Sequence, residues 1–364
     1  MSEQSAPALK EIFNRQRLEF IATQTVSVHK DFDTARFLSA AADGLDGLSL
    51  MERLRRVSIC LHDGLPADFP VALEILRRLA PRLDKGFVTL ILPEYVAMYG
   101  LQDYDLSMEA LRFFTPYGSS EFAVRHFLRQ DLPRGLALLE AWSQDENEHV
   151  RRLASEGSRP RLPWSFRLEA LRVDPSPVLR ILTTLRSDPS IYVRKSVANH
   201  LNDITKDHPD WVMDLLESWP LDDPACAWIT RHALRTLIKQ GDRRALGLVG
   251  AGNAAQVSVE ALTVTPATVA LGEPVVLAFS LRSTSAQPQR LVIDYAVHYV
   301  KKSGATSAKV FKLKTLTLAA NETLTIARSQ MIRDFTTRTH YAGKHVVEIF
   351  INGECLARGA FTIR

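Results

Sequence analysis

One stretch, VRKSVANHLNDITKDHPDW (193–211), combines groups that stabilise a cation with groups that bind anions. At helical spacing, an apolar stripe is formed by Val193, Val197, Leu201 and Ile204. Along its margin lie Ser196, His200, Asp203 and Asp207. A third, fully polar stripe consists of Lys195, Asn199, Asn202 and Lys206. We therefore expect Asp203 at a half-buried edge and the polar stripe facing phosphates, unless this is simply a well-solvated repeat helix.

A metal site is a weaker alternative for the same helix. His200, Asp203 and His208 are possible ligands. However, His208 lies beyond the helical spacing, and no further ligand cluster occurs nearby in the sequence. We therefore expect neither a metal nor a cofactor.

The second chemically unusual stretch is EGSRPRLPW (156–164). It opens an interruption of about 20 residues between two helices, where a simple helical repeat would need only a short turn. Arg159 and Arg161 are able to hydrogen-bond phosphates, and Trp164 offers a flat, electron-rich face to a cation. If Glu156 or Trp164 were buried, the stretch would be better interpreted as a connector.

Glu121 follows YGSS (117–120) at the expected start of another helix. An acid in a first turn is favoured by the helix dipole alone. If the repeats superpose, however, Glu121, Glu156 and Asp203 belong to successive layers, and three carboxylates converge on one side of the protein.

Helical repeats must position these residues. DENEHVRRLA (145–154) and DPSIYVRKSVA (188–198) share an Asp followed five residues later by Val-Arg, and SSEFAVRHFL (119–128) and ACAWITRHAL (225–234) match their later part. The Val or Ile is expected to face the neighbouring helix, with the Arg on the rim. Each such helix precedes a second one, at spacings of roughly 26 to 43 residues. The pattern predicts an all-α, HEAT-like solenoid over residues 1–252.

The pattern changes after residue 256 to short alternating, β-branched segments separated by turn signals such as LGEP and INGE. Seven such segments in about 110 residues predict an all-β, immunoglobulin-like sandwich over residues 257–364. This part holds 13 Lys and Arg against 7 Asp and Glu, whereas the whole chain has a net charge of only +4. KVFKLK (309–314) is either part of a surface facing a polyanion or an edge strand protected by lysines.

Composition narrows the class of protein. The 364 residues are 46% hydrophobic, which is typical of packed domains. The apolar runs are too short to span a bilayer, and MSEQSAPALKEIF lacks a hydrophobic signal core, so we expect a cytoplasmic protein without membrane contact. Cys60, Cys226 and Cys355 are far apart and are interpreted as buried hydrophobes.

Three of these segments, YGSSEFAVRHF, HVRRLASEGSRPRLPW and VRKSVANHLNDITKDHPDW, resemble the AlkC branch of the bacterial HEAT-like-repeat alkylpurine DNA glycosylases. The resemblance covers the helical region, and an appended β-sandwich is similar to one subset of that branch. It implies removal of N3-alkylated bases from double-stranded DNA in base excision repair, chiefly 3-methyladenine and also 3-methylcytosine. It further implies action without a conventional flipped-base pocket. We expect the chain to act as a monomer.

The resemblance also implies roles for residues. A cationic base leaves through an oxocarbenium-like sugar, which nearby negative charge stabilises. Asp203 is expected to stabilise the sugar and orient water, with Glu121 and Glu156 as further carboxylates and Trp164 against the cationic base or sugar. Residues expected to contact DNA are Arg152, Arg159, Arg161, Lys195, Asn199, His200 and Lys206.

A non-catalytic interaction scaffold is the alternative from another functional class. Protein-binding repeat surfaces rarely need a carboxylate triad facing arginines. The combination of acids, arginines and Trp164 therefore favours the enzyme.

Overall fold

The computed structural model describes residues 9–335 and 338–364. Helices occupy the chain up to residue 248, and strands begin at residue 257. This order confirms the predicted fold class, a helical region followed by an all-β sandwich.

The helical region consists of short helices joined by turns and by longer segments, such as the one between Gly157 and Glu169. Their bounds are α1 (Arg15–Val28), α2 (Thr34–Ala42), α3 (Leu50–Gly64), α4 (Phe69–Leu79), α5 (Ile91–Tyr99), α6 (Tyr104–Phe114), α7 (Val124–Gln130), α8 (Leu132–Trp142), α9 (Glu148–Gly157), α10 (Glu169–Val173), α11 (Leu179–Thr184), α12 (Ile191–Ile204), α13 (Pro209–Glu217), α14 (Pro224–Ala233), α15 (Arg235–Lys239) and α16 (Arg243–Leu248). Single 3₁₀ turns lie at Leu9–Phe13, Leu45–Gly47, Ala80–Arg82, Phe87–Leu90 and Ser176–Val178. Polar N-caps set several starts: Asn147 accepts from the His149 amide at 2.9 Å and Ser190 from the Tyr192 amide at 3.2 Å.

The repeated Asp and Val-Arg motif joins successive repeats. Arg151 donates through Nε and Nη2 to the carboxylate of Asp188 at 2.6 and 3.1 Å, and through Nη1 to the carbonyl of Asp145 at 2.9 Å. Arg194 donates to the carbonyl of Asp188 at 2.6 Å in the same way. The valines of the motif, Val150 and Val193, are buried. The valine prediction is confirmed. The arginine prediction is wrong for Arg151, because its guanidinium binds the Asp of the next repeat instead of standing on the rim.

The sandwich contains a three-stranded and a five-stranded sheet. Its strands are β1 (Val257–Thr265), β2 (Thr268–Val269), β3 (Pro274–Ser283), β4 (Gln289–Val300), β5 (Thr306–Leu318), β6 (Thr323–Met331), β7 (Gly343–Ile351) and β8 (Glu354–Ile363). The strand orders are β1-β3-β6 and β2-β8-β7-β4-β5. All pairs are antiparallel except β2 with β8.

Alternation builds the core of the sandwich. On β3, Val275, Leu277, Phe279 and Leu281 point inward, and on β7 Val347, Ile349 and Ile351 do the same. The strand with KVFKLK is β5, at the edge of the five-stranded sheet, where Lys309, Lys312 and Lys314 are exposed. The edge-strand interpretation is therefore confirmed, and it leaves the lysines accessible to a polyanion.

Packing divides the chain into two compact units between Asp207 and His208. The last helices, α13 to α16, thus belong by their contacts to the same unit as the sandwich. The predicted domain bounds, 1–252 and 257–364, follow the change of secondary structure and stay a prediction.

Two further expectations concern the burial of the cysteines and the absence of membrane-spanning segments. Cys60 and Cys226 are buried as predicted, but the prediction for Cys355 is wrong: it is exposed at the start of β8, where it pairs with Phe350 of β7. The first eight residues of MSEQSAPALKEIF lie outside the described residues. Within the described ranges, no helix has the length and apolar character needed to cross a bilayer.

Candidate functional site: a chain of paired charges between α9 and α12

Helix α12 packs against α9, and this contact brings Asp203 next to the C-terminal end of α9. Arg159, just beyond that end, donates to Asp203 Oδ2 through Nε at 2.8 Å and approaches it through Nη2 at 2.7 Å. Its Nη1 donates to Glu156 Oε1 at 2.5 Å. One guanidinium therefore links two carboxylates from different helices.

The chain of charges continues on both sides. Arg152 Nη1 donates to Glu121 Oε2 at 2.6 Å, and its Nη2 lies 3.6 Å from Glu156 Oε1. Lys206 Nζ donates to Asp203 Oδ1 at 3.0 Å. The order Glu121, Arg152, Glu156, Arg159, Asp203, Lys206 alternates in sign. The predicted convergence of three carboxylates is thus present, with arginines between them.

Burial explains why the arginines lie there. Glu156 is 5% exposed and Asp203 is 3% exposed, so each carboxylate needs a paired cation in place of water. Burial itself opposes the charged form of Arg159, but Glu156 and Asp203 outweigh it and raise the pKa of the guanidinium. The arginine stays charged at any physiological pH.

Two expectations about the carboxylates need correction. Asp203 is buried instead of half-buried, because Arg159 and Lys206 cover both of its oxygens. Glu156 is buried as well and accepts a hydrogen bond from Ser196 Oγ at 2.6 Å. Since burial of either Glu156 or Trp164 was expected to make the stretch a connector, EGSRPRLPW is interpreted as a packed connector that leads from α9 to α10.

Trp164, at the other end of the stretch, is 66% exposed. Its φ of 64° places it in the left-handed region, which a bulky L-residue rarely adopts. The indole makes an edge contact with Phe87, their centroids 6.4 Å apart. An exposed indole in a strained backbone conformation is typical of a functional position.

The three arginines expected to contact phosphates have other partners. Arg152 and Arg159 belong to the chain of charges, and the Arg152 guanidinium also lies 4.7 Å from the centre of the Tyr192 ring. Arg161 donates to both oxygens of Asp207 at 2.9 and 2.8 Å. The structure therefore does not favour direct contacts between these three arginines and DNA phosphates. Their geometry indicates that they hold acids in place.

The remaining residues expected to contact DNA separate by burial. Lys195 and Lys206 are exposed, and Asn199 is half-buried. His200 is completely buried, so the prediction that it contacts DNA is wrong; burial, and then the charge of Arg159, lower its pKa to about 3. Asn202, expected on the polar stripe, is also buried, because this turn of α12 packs against its neighbours.

Arg125 of α7 is fully buried, which the sequence pattern did not indicate. It was expected on the rim with the other motif arginines. A signal was present: five residues before Val124 the motif has Ser119, where the two full copies have Asp145 and Asp188. Ser119 instead donates its hydroxyl to Glu121 at 2.9 Å. Among the described residues, no group of three His, Cys, Asp or Glu side chains is arranged to hold a metal ion.

Comparison with known proteins gives two family matches. Residues 117–237 match the model described as "DNA alkylation repair enzyme", and residues 258–364 match that described as "Uncharacterised protein YhaZ, C-terminal Ig-like domain". The chain is 45% identical over 347 residues to "Uncharacterized protein YhaZ" of Bacillus subtilis (strain 168), which covers 95% of this chain and 96% of that protein.

A solved structure is similar over nearly the whole chain. It is the Pseudomonas fluorescens alkylpurine DNA glycosylase AlkC, bound to DNA containing an abasic site analog. The identity is 57% and the TM-score 0.96, with 98% of this chain and 100% of that chain covered.

Proposed function

This chain belongs to the AlkC family of DNA alkylation repair enzymes, and we propose on that premise that it is a DNA glycosylase of base excision repair. Its substrates would be cationic N3-alkylated bases in double-stranded DNA, 3-methyladenine first and 3-methylcytosine second. Because the substrate is chromosomal, we place its action in the cytoplasm, as a monomer on DNA.

The observation that carries the proposal is the link between Glu156 and Asp203 through Arg159. An N3-alkylated base is already a good leaving group, so the enzyme needs to stabilise a sugar cation more than to protonate a base. A carboxylate held rigidly in a site of low dielectric does this without reorganising during the reaction. Asp203 has this property, because it is buried and two nitrogens of Arg159 hold its Oδ2.

Lys206 provides a route by which Asp203 can reach the sugar. Its side chain is 47% exposed, whereas that of Asp203 is 5% exposed. We propose that Lys206 moves from Asp203 Oδ1 to a DNA phosphate on binding, since a flexible ammonium can exchange one anion for another. Asp203 Oδ1 then faces the lesion, while Arg159 keeps Oδ2 in place.

Glu121 and Glu156 would add negative potential beside Asp203, and Trp164 would pack its exposed face against the cationic base or sugar. Because the carboxylates near Asp203 are paired with arginines, we propose excision without a conventional flipped-base pocket. Lys195 and Asn199 remain as proposed contacts to the DNA backbone. The exposed lysines of β5 are proposed as a second contact surface for the DNA backbone.

The proposed activity is tested by incubating the full chain with duplex DNA that contains 3-methyladenine and measuring the released base by chromatography. Release well above the spontaneous rate supports a glycosylase. A duplex with uracil, whose neutral base is a poorer leaving group, should show none. If 3-methyladenine leaves at the spontaneous rate, the chain is a scaffold and the proposal is wrong.

A further inference from the structure

Arg125 is enclosed by main-chain carbonyls. Its side chain, in the first turn of α7, is 0% exposed. Nη1 donates to the carbonyl of Gly157 at 3.0 Å and to that of Arg159 at 2.6 Å, and Nη2 donates to the carbonyl of Phe166 at 2.5 Å. One buried guanidinium thus binds both ends of the segment 157–166.

The segment held in this way carries two residues of the candidate site. Arg159, at its beginning, pairs with Glu156 and Asp203. Trp164, near its end, has the positive φ of 64°. A strained conformation persists only where the surrounding contacts over-determine it, and the two anchored ends supply that constraint.

Packing on α7 reinforces the hydrogen bonds. The guanidinium carbons of Arg125 and Arg129 lie 5.5 and 4.4 Å from the centre of the Phe166 ring, and His126 meets the ring edge-on at 5.1 Å between centroids. At the other end, Gly157 is packed so closely that a Cβ atom would lie 2.5 Å from Val124 Cγ1. The segment therefore follows α7 closely at both ends.

The partners of Arg125 differ from those of the other motif arginines. Arg151 and Arg194 bind the carbonyl of the Asp in their own motif, and Arg151 also binds the Asp of the next repeat. Arg125 lacks this Asp, because Ser119 takes its position. The whole fork of its guanidinium is consequently available for carbonyls of the segment.

We propose that Arg125 is a positioning residue for excision. It touches neither DNA nor substrate, but it fixes the main chain that carries Arg159 and Trp164, and so places the carboxylates and the indole relative to each other. This inference rests on the proposed function. Misplacement of reacting groups by about 1 Å is enough to cost on the order of 100-fold in rate.

The test replaces Arg125 by Met, which keeps length but donates no hydrogen bond. We expect the single-turnover rate of 3-methyladenine release to fall about 10- to 100-fold. Affinity for duplex DNA with an abasic-site analogue should change less than about threefold, because Arg125 is buried. Arg125→Lys, which keeps the charge but not the fork, provides a second, milder variant with the same expected direction.

Arg53→Met is the matched control. Arg53 is also buried and donates to two main-chain carbonyls, those of Lys10 and Phe13, far along the chain from the site. It should lower the melting temperature as Arg125→Met does, yet leave the release rate unchanged below that temperature. Equal rates in the Arg125 and Arg53 variants would overturn the inference.

A double-mutant cycle separates positioning from general stability. If Arg125 acts through the segment, Arg125→Lys and Trp164→Ala should be non-additive in the release rate, whereas Arg53→Lys and Trp164→Ala should be additive. Additivity in both cycles would contradict the inference. Inactivity of the unaltered chain would instead defeat the proposed function, so the two failures are distinguishable.

Discussion

Arg159 binds Asp203 through two nitrogens, 2.8 and 2.7 Å from the same oxygen, and so connects the end of α9 to α12. The third nitrogen of the fork binds Glu156. Two carboxylates that share one arginine form a stable, buried arrangement. The arginine is therefore a structural requirement of the acids.

Replacing Trp164 tests the backbone strain and the indole separately. Both Trp164→Ala and Trp164→Gly should lower the rate of 3-methyladenine release, since both lose the aromatic face. Only the glycine variant accepts a φ of 64° without strain, so it should be more stable than the alanine variant by about 1 kcal/mol in urea unfolding. Equal stability of the two variants would show that the strain is not significant.

Lys206→Gln tests whether this lysine leaves Asp203 for DNA. The variant should bind duplex DNA more weakly, and the slope of log affinity against log salt should become shallower by about 1. Lys30→Gln, an exposed lysine preceding α2, is the control and should leave the slope unchanged. An unchanged slope in the Lys206 variant would mean that the ammonium stays on Asp203.

The lysines of β5 are testable as a second DNA contact. Replacing Lys309, Lys312 and Lys314 together by Gln should weaken duplex binding and reduce the salt slope by about 2 to 3. Replacing Lys10, Lys30 and Lys85 instead changes the net charge equally and should have little effect. If the two triple variants have the same DNA affinity and the same salt slope, the lysines of β5 protect the edge strand and do not contact DNA.

Asp294 predicts a pH dependence of stability. Burial raises its pKa from 3.8 to about 6, although Lys239 and Lys312 act in the opposite direction. A raised pKa means that the folded state binds the proton more tightly. The contribution to the free energy of unfolding is therefore present below about pH 4 and lost as pH rises through 6, to the extent of roughly 3 kcal/mol.

Asp294→Asn imitates the protonated group and should remove this loss. The variant should match the unaltered chain in urea unfolding near pH 4 and exceed it at pH 8. The exposed Asp222→Asn serves as the control. A constant difference across this pH range would contradict the assignment.

The spacing of apolar residues along the chain made the order of helices and strands predictable. Each motif valine falls in the core, and the first strand begins at Val257, where the alternating pattern begins. The helical spacing also placed Asp203 at the margin of the apolar stripe. Periodicity reports which face of an element turns inward, and that information is local.

Which charged side chains pair with each other was not predictable from such patterns. Arg159 and Arg161 were interpreted as phosphate ligands from their residue type. Each instead binds an acid, Asp203 or Asp207, that comes close only when the helices stack. His200 was placed on the polar margin, but the packing of α12 on α9 covers it completely. Which charges pair in three dimensions depends on contacts distant in sequence.

The central claim is that the Asp203 carboxylate stabilises the sugar cation, and Asp203→Asn tests it most directly. The single-turnover rate of 3-methyladenine release should fall about 100-fold or more, while affinity for abasic-site DNA changes less than about threefold. Asp207→Asn, which removes the next acid along and its pairing with Arg161, is the matched control and should retain the rate. An Asp203→Asn protein that folds and releases 3-methyladenine at the unaltered rate would contradict the claim.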